Sequence, residues 1–128
     1  MNVEDALVVR IVKRLKAAVG YYELGMMQHA LDCLESLQSL GDIGPFSIAE
    51  EMLTAQILQA EHRYEAAAQA LEAAARLLPA PFDQALWMAV SQCQRQAGNM
   101  DEAANSLGCA RGARLPEPPH NSPSTPGL

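Results

Sequence analysis

Apolar residues recur at steps of three and four along most of the first 110 residues, which is the period of an α-helix with one buried face. The first such stretch runs from about Asp5 to Leu24 and ends at Gly25. Runs in which valine, isoleucine and threonine alternate with polar residues are absent, so the pattern gives no strand signal. The sequence therefore predicts an all-α chain.

Glycines and prolines divide the chain into six predicted helices. The third is predicted to begin at a capping box, in which the Ser47 hydroxyl accepts from a free amide and Glu50 accepts from the serine amide. Asn99 is the predicted N-cap of the sixth. After the first helix, the expected ranges are about 26–39, 47–60, 64–78, 83–97, and 99 to between 108 and 114.

Three stretches at the helix junctions share one pattern, and they cover residues 25–30, 62–67 and 98–103. Their aligned alanines, Ala30, Ala67 and Ala103, lie 37 and then 36 residues apart. A fixed period of this size is typical of stacked supersecondary units. We therefore expect three antiparallel helix pairs that stack into a right-handed superhelix.

Over about residues 10–115, the chain resembles the tetratricopeptide repeat family. The third unit is most similar, with Trp87 at the leading aromatic position and Gly98 at the turn. The other matching residues are Tyr21, Gly25, Ala30 and Leu34, then Tyr64, Ala67, Leu71, Ala74 and Pro79, then Ala103, Leu107 and Ala110. The second unit departs from the pattern, since Glu51 stands at the aromatic position. The resemblance implies one repeat domain over residues 1–115. Five prolines follow within residues 116–128, which are predicted to form a disordered tail.

In this family the first helix of each pair lines a concave groove that holds a partner. The resemblance assigns nine residues to that groove: Leu15, Val19, Tyr22, Met52, Gln56, Gln59, Met88, Gln92 and Arg95. Such an apolar, methionine-rich surface suits a peptide with apolar anchors or an amphipathic helix. The alternative is that its larger apolar residues pack between helices, and the sequence leaves both readings open. The basic clamp by which one subclass holds a terminal carboxylate is absent.

The net charge of −6 disfavours nucleic acid as a partner, because such a protein needs an excess of Lys and Arg. The first helix nevertheless concentrates four basic residues, Arg10, Lys13, Arg14 and Lys16. We interpret them as a solvated outer face, with an acidic partner or anionic surface as the alternative. No apolar run approaches the roughly 18 residues of a membrane span. Glu4 and Asp5 argue against a signal peptide, so a cytoplasmic protein is expected.

Residues that could carry chemistry are scattered. The three cysteines, Cys33, Cys93 and Cys109, have no CxxC spacing and are expected to be free thiols that pack as small apolar groups. The histidines lie in a helix, a turn and the tail. Glu50 and Glu51 are adjacent, so on a helix they point about 100° apart and do not converge. The sequence therefore predicts no catalytic site, no metal and no cofactor.

These observations favour a protein-interaction module, acting as an adaptor or assembly factor. A dedicated chaperone for one aggregation-prone client, such as a secretion-system subunit, is the first alternative, and a small ligand-binding protein or enzyme is the second. Leu107 and Leu115 would be poorly covered at the C-terminal end of the stack. Self-association as a homodimer through that end, or a tail segment folded back over it, would hide them.

Overall fold

The computed structural model describes residues 2–112, so the predicted tail and Leu115 lie outside the described residues. Between residues 2 and 112 there are six α-helices and no strand, and the all-α prediction is confirmed. The α-helices are α1 (Val3–Glu23), α2 (Met27–Glu35), α3 (Phe46–Ala60), α4 (Tyr64–Arg76), α5 (Gln84–Gln96) and α6 (Met100–Ala110). They pack in neighbouring pairs, which we call the first unit (α1–α2), the second unit (α3–α4) and the third unit (α5–α6).

The two helices of every unit are joined by the same turn. Gly25, His62 and Gly98 lie at its left-handed position, with φ of 79°, 61° and 89°. The next residue donates its backbone N–H to the carbonyl five residues earlier, at 2.8 Å in all three turns: Met26 to Tyr21, Arg63 to Leu58, and Asn99 to Gln94. This is the Schellman arrangement, which satisfies carbonyls left free at a helix C-terminus. The stretches that look alike in sequence therefore share one backbone geometry.

The second helix differs from its prediction, because it ends at Glu35 and continues as a 3₁₀ segment over Ser36–Leu40. The Ser36 and Ser39 hydroxyls each donate to a carbonyl three residues earlier, at 2.6 Å. Nη1 of Arg14 also donates to the Ser36 carbonyl at 2.7 Å. These bonds compete with the α-helical pattern and favour the tighter turn. Arg14 is thus half-buried against this segment, whereas Arg10, Lys13 and Lys16 are exposed as predicted.

The predicted capping box at Ser47 and Glu50 is wrong. The helix already begins at Phe46, with Pro45 as its N-cap and no side-chain capping bond. The preceding turn is made instead by Asp42, whose Oδ1 accepts from the Gly44 amide at 2.8 Å. Because the chain is already helical at Ser47, its hydroxyl has no capping position to fill.

The buried residues form two clusters. One is centred on the first unit, around Ile11, Ala18 and Leu34, and also includes Ile57 of α3, and the other spans the second and third units. Half-buried Leu31 packs against both clusters. α5 lies along much of α4, whereas α2 meets α3 only over a short stretch. The second and third units are therefore more closely joined to each other than to the first.

No helix described between residues 2 and 112 has both the length and the apolar character that crossing a membrane requires.

Candidate functional site

Three of the apolar residues assigned to the groove are exposed on the first helices of their units. Val19 is 40% exposed, Met52 is 46% exposed and Met88 is 55% exposed. Leu15 differs, because it is half-buried and packs against the cluster of the first unit. The reading as a packing residue therefore fits Leu15, while the other three leave apolar surface in contact with solvent.

Hydrogen bonds between side chains bring several predicted residues together across the units. Nε2 of Gln56 donates to the Tyr22 hydroxyl at 3.4 Å, which joins α3 to α1. Nε2 of Gln59 donates to Sγ of Cys93 at 3.1 Å, which joins α3 to α5. Tyr22, Gln56 and Gln59 therefore take part in contacts that link α3 to the first and third units. Cys93 was not predicted to take part, because a cysteine in an apolar pattern carries no signal for a bond from a neighbouring unit.

The three groove residues of the third unit, Met88, Gln92 and Arg95, line a cleft that also includes Leu107 of α6. The cleft is completed by Ala85, Ala89, Ser91 and Gln96. We call the exposed part of Val19, Met52, Gln56, Gln59, Met88, Gln92 and Arg95 the partner face. Arg95 is the one charged side chain in this set, although the chain as a whole carries a net charge of −6.

Carboxylates gather instead in a cleft between α2 and α3, which sequence reasoning missed. Asp32 and Glu35 line it from α2, and Glu50 and Glu51 line it from α3, with Arg63 at its edge. Burial raises the pKa of the Glu50 carboxyl, and the Glu51 charge raises it further. Burial also raises the pKa of Glu51. Adjacent glutamates do not converge on one point, but both reach this cleft because it runs beside their helix.

Trp87, assigned to the leading aromatic position, is a packing residue at one end of the third unit. It is 5% exposed, and its Nε1 donates to Oδ2 of Asp83 at 3.1 Å. The Arg76 guanidinium lies 5.3 Å from the centre of its ring, and Nη2 of Arg76 donates to Oε2 of Glu72 at 2.7 Å. These contacts fix α4 against α5, and they leave the indole little surface for a ligand.

No three His, Cys, Asp or Glu side chains come together as a metal site in the part of the chain that the structure describes. Cys93 is buried, as predicted for a packing thiol, but Cys33 and Cys109 are only half-buried.

Asn99 is the N-cap of α6, but its side chain makes no capping bond and donates instead to Oε2 of Glu65 at 3.5 Å.

The chain matches no family model, no curated protein and no solved structure.

Proposed function

We propose that this chain is a protein-interaction module of the tetratricopeptide repeat type, a right-handed stack of three antiparallel helix pairs. It acts as an adaptor or assembly factor, and the partner face holds an apolar or amphipathic segment of another protein. The observation that carries the proposal is the exposure of Val19, Met52 and Met88 on the first helices of successive units. The recurrence of one turn geometry at residues 25, 62 and 98 supports the repeat assignment.

The chemistry of the partner face supports an apolar ligand with polar edges. Met52 and Met88 have flexible, polarizable side chains that can adapt to different partner shapes. Gln56 and Gln59 lie beside them, and their amides can orient a bound backbone. Burial of one such side chain contributes about 1.5–3 kcal/mol, so two anchors would supply about 3–6 kcal/mol toward binding before ordering costs.

A double substitution of Met52→Glu and Met88→Glu tests the partner face. A partner retained from native lysate by the wild-type chain should be lost by this variant, because a charge would enter each apolar contact. The matched control is Leu24→Glu with Leu77→Glu, which alters two exposed leucines elsewhere, 75% and 53% exposed. Equal helical content by circular dichroism confirms that both variants are folded. Equal retention by both variants would contradict the proposal.

The dedicated-chaperone alternative makes a different prediction from the same face. The adaptable methionines favour it, since a chaperone must hold a client before that client has folded. Co-expression separates the two functions. A chaperone keeps one client soluble and leaves it aggregated when Met52 and Met88 are replaced by glutamate. An adaptor binds a partner that is soluble by itself.

A further inference from the structure

The open end of the third unit exposes a surface that α5 covers in the second unit. Ala68 and Leu71 of α4 are 4% and 6% exposed, because α5 lies against α4. Counted from the turn residue, their counterparts in α6 are Ala104 and Leu107. Ala104 is exposed and Leu107 is half-buried beside the cleft that Met88 and Arg95 also line. Ala104 and Leu107 are less buried than Ala68 and Leu71 because, among residues 2–112, no further helix packs against α6 as α5 packs against α4.

Polar side chains of the second unit show how a covering helix is held. Gln59, three residues before the turn residue His62, donates to Cys93 of α5. Glu65, three residues after His62, accepts from Asn99, which lies beyond the end of α5, directly after the left-handed Gly98. In the third unit, Arg95 and Asp101 occupy these same two positions relative to Gly98. A cation and a carboxylate therefore occupy the two positions at which side chains of the second unit form hydrogen bonds to the third unit.

A second copy stacked head to tail does not fit this surface. α5 presents a stripe to the second unit that includes buried Leu86 and half-buried Ala89. The positions in α1 that correspond to them, counted from Gly25, are Lys13 and Lys16, and both are exposed. Placing two ammonium groups against Leu107 would cost their hydration, and neither lysine occupies the position that faces Asp101.

We propose that this end surface, defined by Ala104, Leu107, Arg95 and Asp101, binds one amphipathic helix of another protein, seated as α5 is seated on α4. That helix carries a carboxylate at the position of Cys93, facing Arg95. The turn that ends this helix carries an amide or ammonium donor, six residues after the carboxylate, facing Asp101. The apolar residues of the helix lie seven and three positions before the carboxylate, as Leu86 and Val90 precede Cys93. The inference rests on the proposed function as an interaction module, but it concerns an end surface that shares only Arg95 with the partner face.

The probe for this surface is a labelled peptide of residues 82–99 of this chain in which Cys93→Glu supplies the carboxylate. Its binding to the full chain is measured by fluorescence anisotropy. The Leu107→Glu variant should bind it at least about 10-fold more weakly, because an apolar contact is lost and a charge is buried. The Leu24→Glu variant, altered at an exposed leucine outside the surface, should bind it like the wild type.

Charge exchange tests the predicted pairing itself. Arg95→Glu should weaken binding of the Cys93→Glu peptide by about 10-fold, and a Cys93→Lys peptide should restore it. This restoration distinguishes a direct ion pair from general damage to the fold. If Leu107→Glu lowers the helical content, the exposed position Ala104→Glu takes its place.

Three results would overturn the inference. One is the absence of saturable binding up to about 1 mM peptide. Another is binding that neither Leu107→Glu nor Arg95→Glu alters. The third is a dimer in sedimentation equilibrium that Leu107→Glu dissociates, because a second copy would then cover the surface. If the peptide fails while Met52→Glu with Met88→Glu still abolishes partner capture, the inference falls and the proposed function stands.

Discussion

Nε2 of Gln59 donates a hydrogen bond to Sγ of Cys93 over 3.1 Å, which ties the second unit to the third. Tyr22 makes the corresponding contact one unit earlier, where its hydroxyl accepts from Gln56. Both Tyr22 and Gln59 lie three residues before the left-handed residue of their turn. The position three residues before the turn residue thus forms a bond between successive units in two places. The acceptor is a hydroxyl oxygen in one bond and a thiol sulfur in the other.

Cys93 should be the least reactive thiol of the native chain. Its side chain is fully buried and burial raises its pKa, so little thiolate is formed and a reagent has no access to it. In a variant with Cys33→Ser and Cys109→Ser, labelling by Ellman's reagent should be complete in denaturant and negligible in buffer. Rapid labelling of the folded variant would show that the contact between α3 and α5 is open.

Alanine at Gly25 and alanine at Gly20 should have opposite effects, although neither new methyl group meets another atom within 4 Å. Gly25 has φ of +79°, so Gly25→Ala should destabilise the chain by about 1–2 kcal/mol. Gly20 lies inside α1, where Gly20→Ala should stabilise it by about 0.5–1 kcal/mol. Urea unfolding followed by circular dichroism measures both. Effects of the same sign would contradict the turn geometry.

A buried polar pair holds α5 against α6, and its two members should be strongly coupled. The Ser106 hydroxyl donates to Oε1 of Gln94 at 2.7 Å, and both residues are less than one-tenth exposed. Ser106→Ala should cost about 1–3 kcal/mol, because it leaves a buried acceptor without a donor. Adding Gln94→Leu should recover part of that cost, since the unpaired acceptor is removed. Additive free energies of unfolding across this double-mutant cycle would rule out the coupling.

The carboxylate cleft between α2 and α3 should make stability depend on pH. The folded-state pKa values of Glu50 and Glu51 lie above the ordinary 4.5, so the folded chain holds protons that the unfolded chain has released. The free energy of unfolding therefore falls as pH rises through these raised values. Glu50→Gln and Glu51→Gln should each stabilise the chain at pH 7, and the gain should vanish below about pH 4.5. A gain that is independent of pH in urea titrations would contradict the burial of these groups.

The sequence was sufficient to predict the six helices and the shared turns, because the apolar period and the breakers are local signals. His62 shows how far this extends: the pattern alone placed it at the turn where the other units have glycine, and its φ of 61° agrees. The capping-box prediction was wrong because the turn at Asp42 and Gly44 leads into a helix that already begins at Phe46. The 3₁₀ segment depends on Arg14, which lies 22 residues away from Ser36 in the chain, and a local pattern does not contain that contact.

The candidate site was also predictable only in part. The repeat register assigned Val19, Met52 and Met88 to the groove, and all three side chains are exposed, as helical spacing predicts. It assigned Leu15 to the groove with equal weight, although the neighbouring cluster covers part of that side chain. The carboxylate cleft lies between α2 and α3, and no pattern in the sequence indicates that the carboxylates of these two helices come together. Only the three-dimensional arrangement places them in one cleft.

Hydrogen–deuterium exchange of the chain with and without its captured partner shows which helices the partner contacts. Partner binding should slow exchange in α1, α3 and α5, above all around residues 52–59 and 88–95. Exchange in α2 and α4 should be unchanged, because these helices carry none of the residues of the partner face. Slowed exchange confined to α2 and α4, with α3 and α5 unaffected, would contradict binding at the partner face.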